Sequence, residues 1–199
     1  MQLTRTRSLP PEHRDVVDGL PVTSGPRTLL DLAATTSTQQ LIELAAASVR
    51  LRTCTLDDLA TIVHARQRVR GRQRLEMAIE VLGDDGVIAR SDVEVGALWS
   101  LVEGGLPRPH VAYRVVDITG AFVAEVDLAY PEFRLAIEID GYRWHSSPES
   151  KRRDEERQNR LVLAGWTVLR FSAGDVRSRP HLLVNAVREA LCRAGQHPA

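Results

Sequence analysis

The stretch EVDLAYPEFRLAIEIDGYRWHSS, residues 125–147, decides how this chain is read. Val126, Leu128, Leu135, Ile137 and Ile139 alternate as in two half-buried strands. Glu125, Asp127, Glu138 and Asp140 fill positions between them, where stability alone favours Thr or Val. With PEFR as a four-residue turn between Tyr130 and Leu135, the antiparallel register sets Asp127 opposite Glu138 and Glu125 opposite Asp140. Period-two alternation then puts all four acids on one face. Opposed Cβ atoms lie about 4.5–5.5 Å apart, close enough for like charges to destabilise the sheet. Three remedies exist: a protonated carboxyl, surrounding arginines, or a bridging cation. A strand face open to water would also tolerate the acids. A central strand of an α/β sheet is covered on both faces, however, which places them in a cleft.

Composition sets the outer limits. The chain has 199 residues, 43% hydrophobic and 26% charged, which suits one or two globular domains with a real core. The formal net charge of zero argues against coating nucleic acid by bulk charge. No run of eighteen apolar residues suggests a membrane span, and MQLTRTRSLPPEHRD lacks the apolar core of a secretory signal. Cys54 and Cys192 stand far apart without a CxxC partner and read as reduced thiols. These features lead to the expectation of a cytoplasmic protein.

Along the chain the texture changes once. Residues 1–27 are rich in Pro, Gly and Arg, with DVVDGLPV as the short piece able to form a strand or turn. From Arg27 to about Leu82 the apolar residues follow helical spacing, and Thr55-Leu-Asp-Asp58 is an N-cap signal. HARQRVRGRQR carries Arg66, Arg68, Arg70, Arg72 and Arg74 without an acid. It reads either as a solvated, Gly-hinged connector or as a phosphate-contacting patch. GDDGVIARSD around residues 83–92 looks like a linker. Beyond it the spacing predicts a helix from Ser91 to about Glu103, strands over 110–117, 121–130 and 134–140, and a helix opening at Ser147-Pro-Glu and lasting to Ala164. A strand over 166–171 and a helix from about Pro180 to Arg193 complete the chain. The order is α-β-β-β-α-β-α, an α/β sheet flanked by helices. The expected domains are a mainly helical module at 1–88 and a second domain at 89–195.

Asp127, ten intervening residues and then Glu138-Ile-Asp140 resembles the PD-(D/E)XK nuclease motif. The longer string from VDLAYPEFRLAIEID through DGYRWH, the RRDEERQN helix and GWTVLRF is similar to the very short patch repair endonucleases. It is closer still to their bacterial relatives, the domain of unknown function 559 family. The resemblance covers roughly Arg90 to Leu191 and implies a restriction-endonuclease-like mixed sheet. Residues 8–50 resemble a segment that in longer relatives often follows a winged helix akin to abortive-infection antitoxins. The expectation is that the chain begins too late to hold that winged helix.

The resemblance assigns Asp127 and Glu138 as ligands of Mg²⁺ (or Mn²⁺), with Glu94 matching a first-helix acid that completes many such sites. Glu94 also stands three residues after Ser91, the spacing of a capping box. Asp140 takes the place of the usual catalytic lysine, as a base or further ligand, and His145 matches a histidine able to carry the proton. A structural histidine beside Trp144 is the plainer reading of His145, and Trp144 itself reads as packing. Gly141 is expected to let the strand leave the sheet. Lys151 is the sole lysine and too isolated to stand in for the missing one.

In the helix that follows, residues 149–160 include no apolar side chain, while Asp154, Arg157 and Leu161 fall on one stripe. That stripe is either a core-facing line turned polar beside the acids or part of a salt-bridged solvent face. Arg152, Arg153 and Arg157, with Arg66, Arg68 and Arg70, are the expected DNA-backbone contacts, and Asp154 a supporting acid. The expected function is a metal-dependent DNA endonuclease acting in repair or defence against foreign DNA, with DNA as partner and a homodimer as an option. The rival is a nucleic-acid-binding or toxin–antitoxin accessory protein whose nuclease fold has lost its chemistry.

Overall fold

The structure is a computed structural model and describes residues 9–66, 69–83, 89–140 and 148–196. The chain divides into two compact units, Met1–Asp84 and Asp85–Ala199.

In the first unit, β1 (Arg14–Val17) and β2 (Leu20–Thr23) form an antiparallel hairpin. Asp18 and Gly19 connect them with φ of 52° and 79°, the positive values that a two-residue turn of the right twist requires. Four helices follow among the described residues: α1 (Gly25–Leu32), α2 (Thr38–Arg50), α3 (Leu56–Ala65) and α4 (Arg72–Leu82). Their apolar stripes bury Leu29, Leu30, Leu41, Ile42, Leu59, Ile62, Leu75 and Leu82 together. Thr55 and Asp58 form the reciprocal cap of α3 that their spacing predicts. Helix α4 opens directly after Gly71. Gly71 takes φ of 87° at its N-cap, and a Cβ there would run into the Ala33 backbone.

The second unit opens with α5 (Asp92–Glu103), capped by Ser91. Then come β3 (His110–Val116), β4 (Phe122–Tyr130), a 3-10 turn (Pro131–Phe133) and β5 (Leu135–Asp140). After these follow α6 (Pro148–Leu163), β6 (Thr167–Ser172), α7 (Ala173–Ser178) and α8 (Pro180–Gln196). The sheet order is β3-β4-β5-β6, antiparallel except for the parallel β5–β6 pair. This is the mixed, helix-flanked α/β sheet that the sequence pattern implies.

The crossover through α6 makes β5 and β6 parallel, since a parallel partner cannot follow a tight hairpin. Leu161 on α6 is fully buried in a cluster with Val115, Val126, Ala129, Ala136 and Trp166. Gly165, at φ of 80°, ends the helix: its N–H donates to Val162 O and that of Trp166 to Leu161 O, a Schellman closure. Helix α7 fills the segment between the expected strand over 166–171 and the expected helix from about Pro180. Its signal was the Ser172–Asp175 spacing, and the Ser172 hydroxyl does accept the Asp175 N–H at 3.1 Å.

The hairpin register is correct as far as it goes. Tyr130 faces Leu135, Ala129 faces Ala136 and Leu128 faces Ile137. There the recorded ladder between β4 and β5 ends, so the expected Asp127–Glu138 and Glu125–Asp140 ladder pairs do not form. The cause is local. Asp127 Oδ2 accepts the Ile139 N–H at 2.7 Å, so a side chain takes the bond that a ladder carbonyl would take. Beyond this point β4 continues its pairing with β3, where Glu125 lies opposite Arg114.

Candidate active site

The place where β4 and β5 part is the candidate site. Glu138 is buried at 6% exposure, and the three strand residues before it, Leu135, Ala136 and Ile137, are buried as well. A buried carboxylate needs a counter-charge. It has two: Glu138 Oε1 pairs with Arg157 Nη1, and Oε2 lies 3.5 Å from Arg170 Nε. Arg157 Nη2 also donates to the backbone oxygen of Glu125. The same Arg170 guanidinium reaches Asp140 Oδ1 at 2.9 Å and Asp154 Oδ2 at 3.1 Å. One cation on β6 thus ties together three carboxylates from β5 and α6, and they hold its proton more firmly than an ordinary arginine does.

Asp127 is half-buried beside them. Burial pushes its carboxyl above the usual aspartate range, and the charges of Glu94 and Glu138 push it the same way. The Ile139 N–H bond and Arg157 act in the opposite direction. Glu94 takes the capping role read from its spacing after Ser91. Its Oε1 accepts the Ser91 hydroxyl at 2.8 Å and its Oε2 the Arg90 N–H at 2.7 Å, closing the cap of α5, while its charge is felt at Asp127.

Of the remedies for crowded acids, the structure uses arginines. Arg157 and Arg170 serve Glu138, Asp140 and Asp154, and Arg90 pairs with the Glu125 carboxylate. Among the described residues no three His, Cys, Asp or Glu side chains converge as a ready-made metal cluster. The donor chemistry nonetheless suits a hard divalent ion: Asp127, Glu138 and Glu94 offer only carboxylate oxygens, and the raised Asp127 carboxyl is one that an added cation would relieve.

The polar stripe of α6 faces the acids as its spacing suggests: Asp154 and Arg157 engage the cluster and Leu161 enters the core. Arg152 pairs with Glu156 on the exposed side of α6, and Arg153 is exposed. Gly141, Trp144, His145 and Arg68 lie outside the described residues. In the first unit the arginine-rich stretch is divided in its duties. Arg72 pairs with Glu76, and Arg74 donates to the Ala33 and Thr36 carbonyls, closing the end of α1. Arg70 is exposed and Arg66 half-buried.

Arg170 is the site residue that sequence reading passed over. It sits inside GWTVLRF, the last string of the resemblance. Its signal was a lone cation in the middle of an apolar strand. Only the parallel register, which sets Glu138 beside Arg170, reveals its partner.

Residues 109–191 match REase_MTES_1575, a restriction-endonuclease-like family. The matched segment contains β4, β5, α6 and β6, hence Asp127, Glu138, Arg157 and Arg170, and the match points to a nuclease. The chain is also similar to two curated proteins of Mycobacterium tuberculosis, both named only as uncharacterized: MT2308 of strain CDC 1551 / Oshkosh and Rv2248 of strain H37Rv. Each is 32% identical over 148 residues, covering 74% of this chain and 53% of the relative. The chain thus spans about half the length of the curated relatives it matches. No solved structure matches it.

Proposed function

We propose that the protein is a metal-dependent endonuclease that hydrolyses DNA phosphodiester bonds, of the very short patch repair-like kind represented by the domain of unknown function 559 family. The observation that carries this reading is the Asp127 carboxyl, held by the Ile139 N–H and within the electrostatic reach of the buried Glu138 where two strands part, inside the segment that matches a restriction-endonuclease-like family. Asp127 and Glu138, with Glu94 beside them, would hold Mg²⁺ or Mn²⁺. When bound, such an ion supplies Lewis-acid stabilisation of charge on the phosphate and acidifies water.

The chain's own residues do the rest. The Ile139 N–H fixes one Asp127 oxygen, so the other keeps a set direction. Glu138, walled by the sheet, presents its carboxylate from a rigid strand rather than a loop. Arg170 restrains Asp140 and Asp154 and keeps their repulsion from splaying the site. Asp140 and His145 are the groups assigned to proton transfer. Arg152 and Arg153 on the exposed side of α6, with Arg66, Arg68 and Arg70, would meet the DNA backbone as phosphate contacts without sequence readout. The proposed setting is cytoplasmic, in DNA repair or defence against foreign DNA.

Nicking of supercoiled plasmid in Mg²⁺ or Mn²⁺ tests the proposal. Wild-type protein should cut and Asp127→Asn should not; DNA shifted in a gel but left uncut by both would favour the binding-only rival. That rival draws its support from Asp140, which stands where the family's lysine is expected and is engaged by Arg170.

A further inference from the structure

Arg157 stands in two environments at once. Its Nη1 holds Glu138, the most buried acid of the site, and its Nη2 holds the Glu125 backbone oxygen on the neighbouring strand. Its side chain is 29% exposed against 8% for Glu138, so the pair lies at the wall of the site with the arginine on the solvent side. The opposing charges do not balance. Asp127, Glu138, Asp140 and Asp154 face Arg157 and Arg170, so four carboxylates meet two guanidinium groups. A divalent ion on Glu138 would share a carboxylate with a guanidinium already on it, and two cations on one acid repel strongly in a partly buried setting.

We propose that Arg157 is a two-position side chain: it neutralises Glu138 in the ion-free protein and swings to a DNA phosphate when a divalent ion takes that carboxylate. This rests on the nuclease reading and adds a positioning residue to it. Arg157 is suited to the exchange. A planar guanidinium serves a carboxylate and a phosphate with the same bidentate geometry. Its position on α6, one turn from the buried Leu161, fixes the backbone while leaving the long side chain free to turn. Arg170 lacks this freedom, because three carboxylates hold it. Ion and DNA then assist one another, since each removes an obstacle to the other.

Mn²⁺ calorimetry on the full chain, without DNA, tests the exchange. Arg157→Gln should bind the ion about tenfold more tightly than wild type, the effect of removing one charge-assisted competitor. Ca²⁺ should strengthen DNA binding by the wild type and should not do so in the same variant. Should Arg157→Gln fail to fold, side-chain nitrogen NMR of the wild type replaces it: the restricted Arg157 guanidinium should be released on adding Mg²⁺. Unchanged or weaker ion affinity in Arg157→Gln, or an Arg157 signal indifferent to Mg²⁺, overturns the proposal. Plasmid cleavage by wild type is scored separately. A protein that cuts while its ion affinity ignores Arg157 sinks only this exchange. A protein that gains ion affinity in Arg157→Gln yet never cuts sinks only the nuclease reading.

Discussion

The Asp127 carboxylate accepts the Ile139 N–H at 2.7 Å, and this bond stands where the ladder between β4 and β5 ends. A side chain has replaced a carbonyl as the partner of a strand N–H. The exchange opens the strands just where the acids need room.

Two substitutions at Asp127 therefore differ. Asp127→Ala leaves the Ile139 N–H without its acceptor, at a cost of about 1–3 kcal/mol. Asp127→Asn keeps an acceptor oxygen and removes a charge that burial, Glu94 and Glu138 all oppose. An aspartate raised in the folded state is most favourable when protonated, so its charge lowers stability as pH rises above the unfolded value of 3.8. Asp127→Asn should consequently be at least as stable as wild type at pH 7, with the advantage shrinking as pH falls. Melting curves of the three proteins at pH 5 and pH 7 check this, and an asparagine variant less stable than the alanine one would refute it.

Leu161 and Leu163 lie two residues apart on α6 with 0% and 87% exposure. Leu161→Ala should lower stability by about 2–5 kcal/mol, since it opens a cavity between helix and sheet. Leu163→Ala should change it by less than about 0.5 kcal/mol. Urea unfolding of both variants gives the comparison. Equal losses would mean that α6 does not dock through Leu161.

His13 is buried in the first unit with Arg27 Nη1 3.3 Å from its Nδ1. Burial, then Arg66 and Arg27, hold its pKa below the ordinary 6.5. A histidine depressed in the folded state must take up a proton on unfolding, so stability is complete above pH 6.5 and falls as pH drops through the folded value. His13→Gln should flatten that decline. A pH–stability profile below 6.5 that is identical in both proteins would contradict the assignment.

The two cysteines should differ in reactivity. Cys54 is buried, and burial followed by the Asp58 charge pushes its thiol up to about 11. Cys192 is exposed. A disulfide reagent at pH 8 should titrate Cys192 quickly and Cys54 only after denaturation. Rapid modification of both in the native protein would be inconsistent with the buried site of Cys54.

Periodicity and cap chemistry are local, and what depends on them was legible in the sequence. The alternation around PEFR placed β4 and β5 and their first three pairs, Thr55–Asp58 placed the start of α3, and Gly165 placed the end of α6. The stripe of Asp154, Arg157 and Leu161 was likewise visible, because a helix repeats every 3.6 residues whatever it packs against. The sequence also contained the acids, but not their company. Glu138 and Arg170 are brought together by a parallel pairing across an intervening helix, and the Asp127 bond to Ile139 ends a ladder that alternation alone would extend. Long-range register and side-chain competition for backbone donors arise only when separate segments meet. Tertiary structure therefore decided that arginines, and not strand-to-strand pairing, set the distances among these carboxylates.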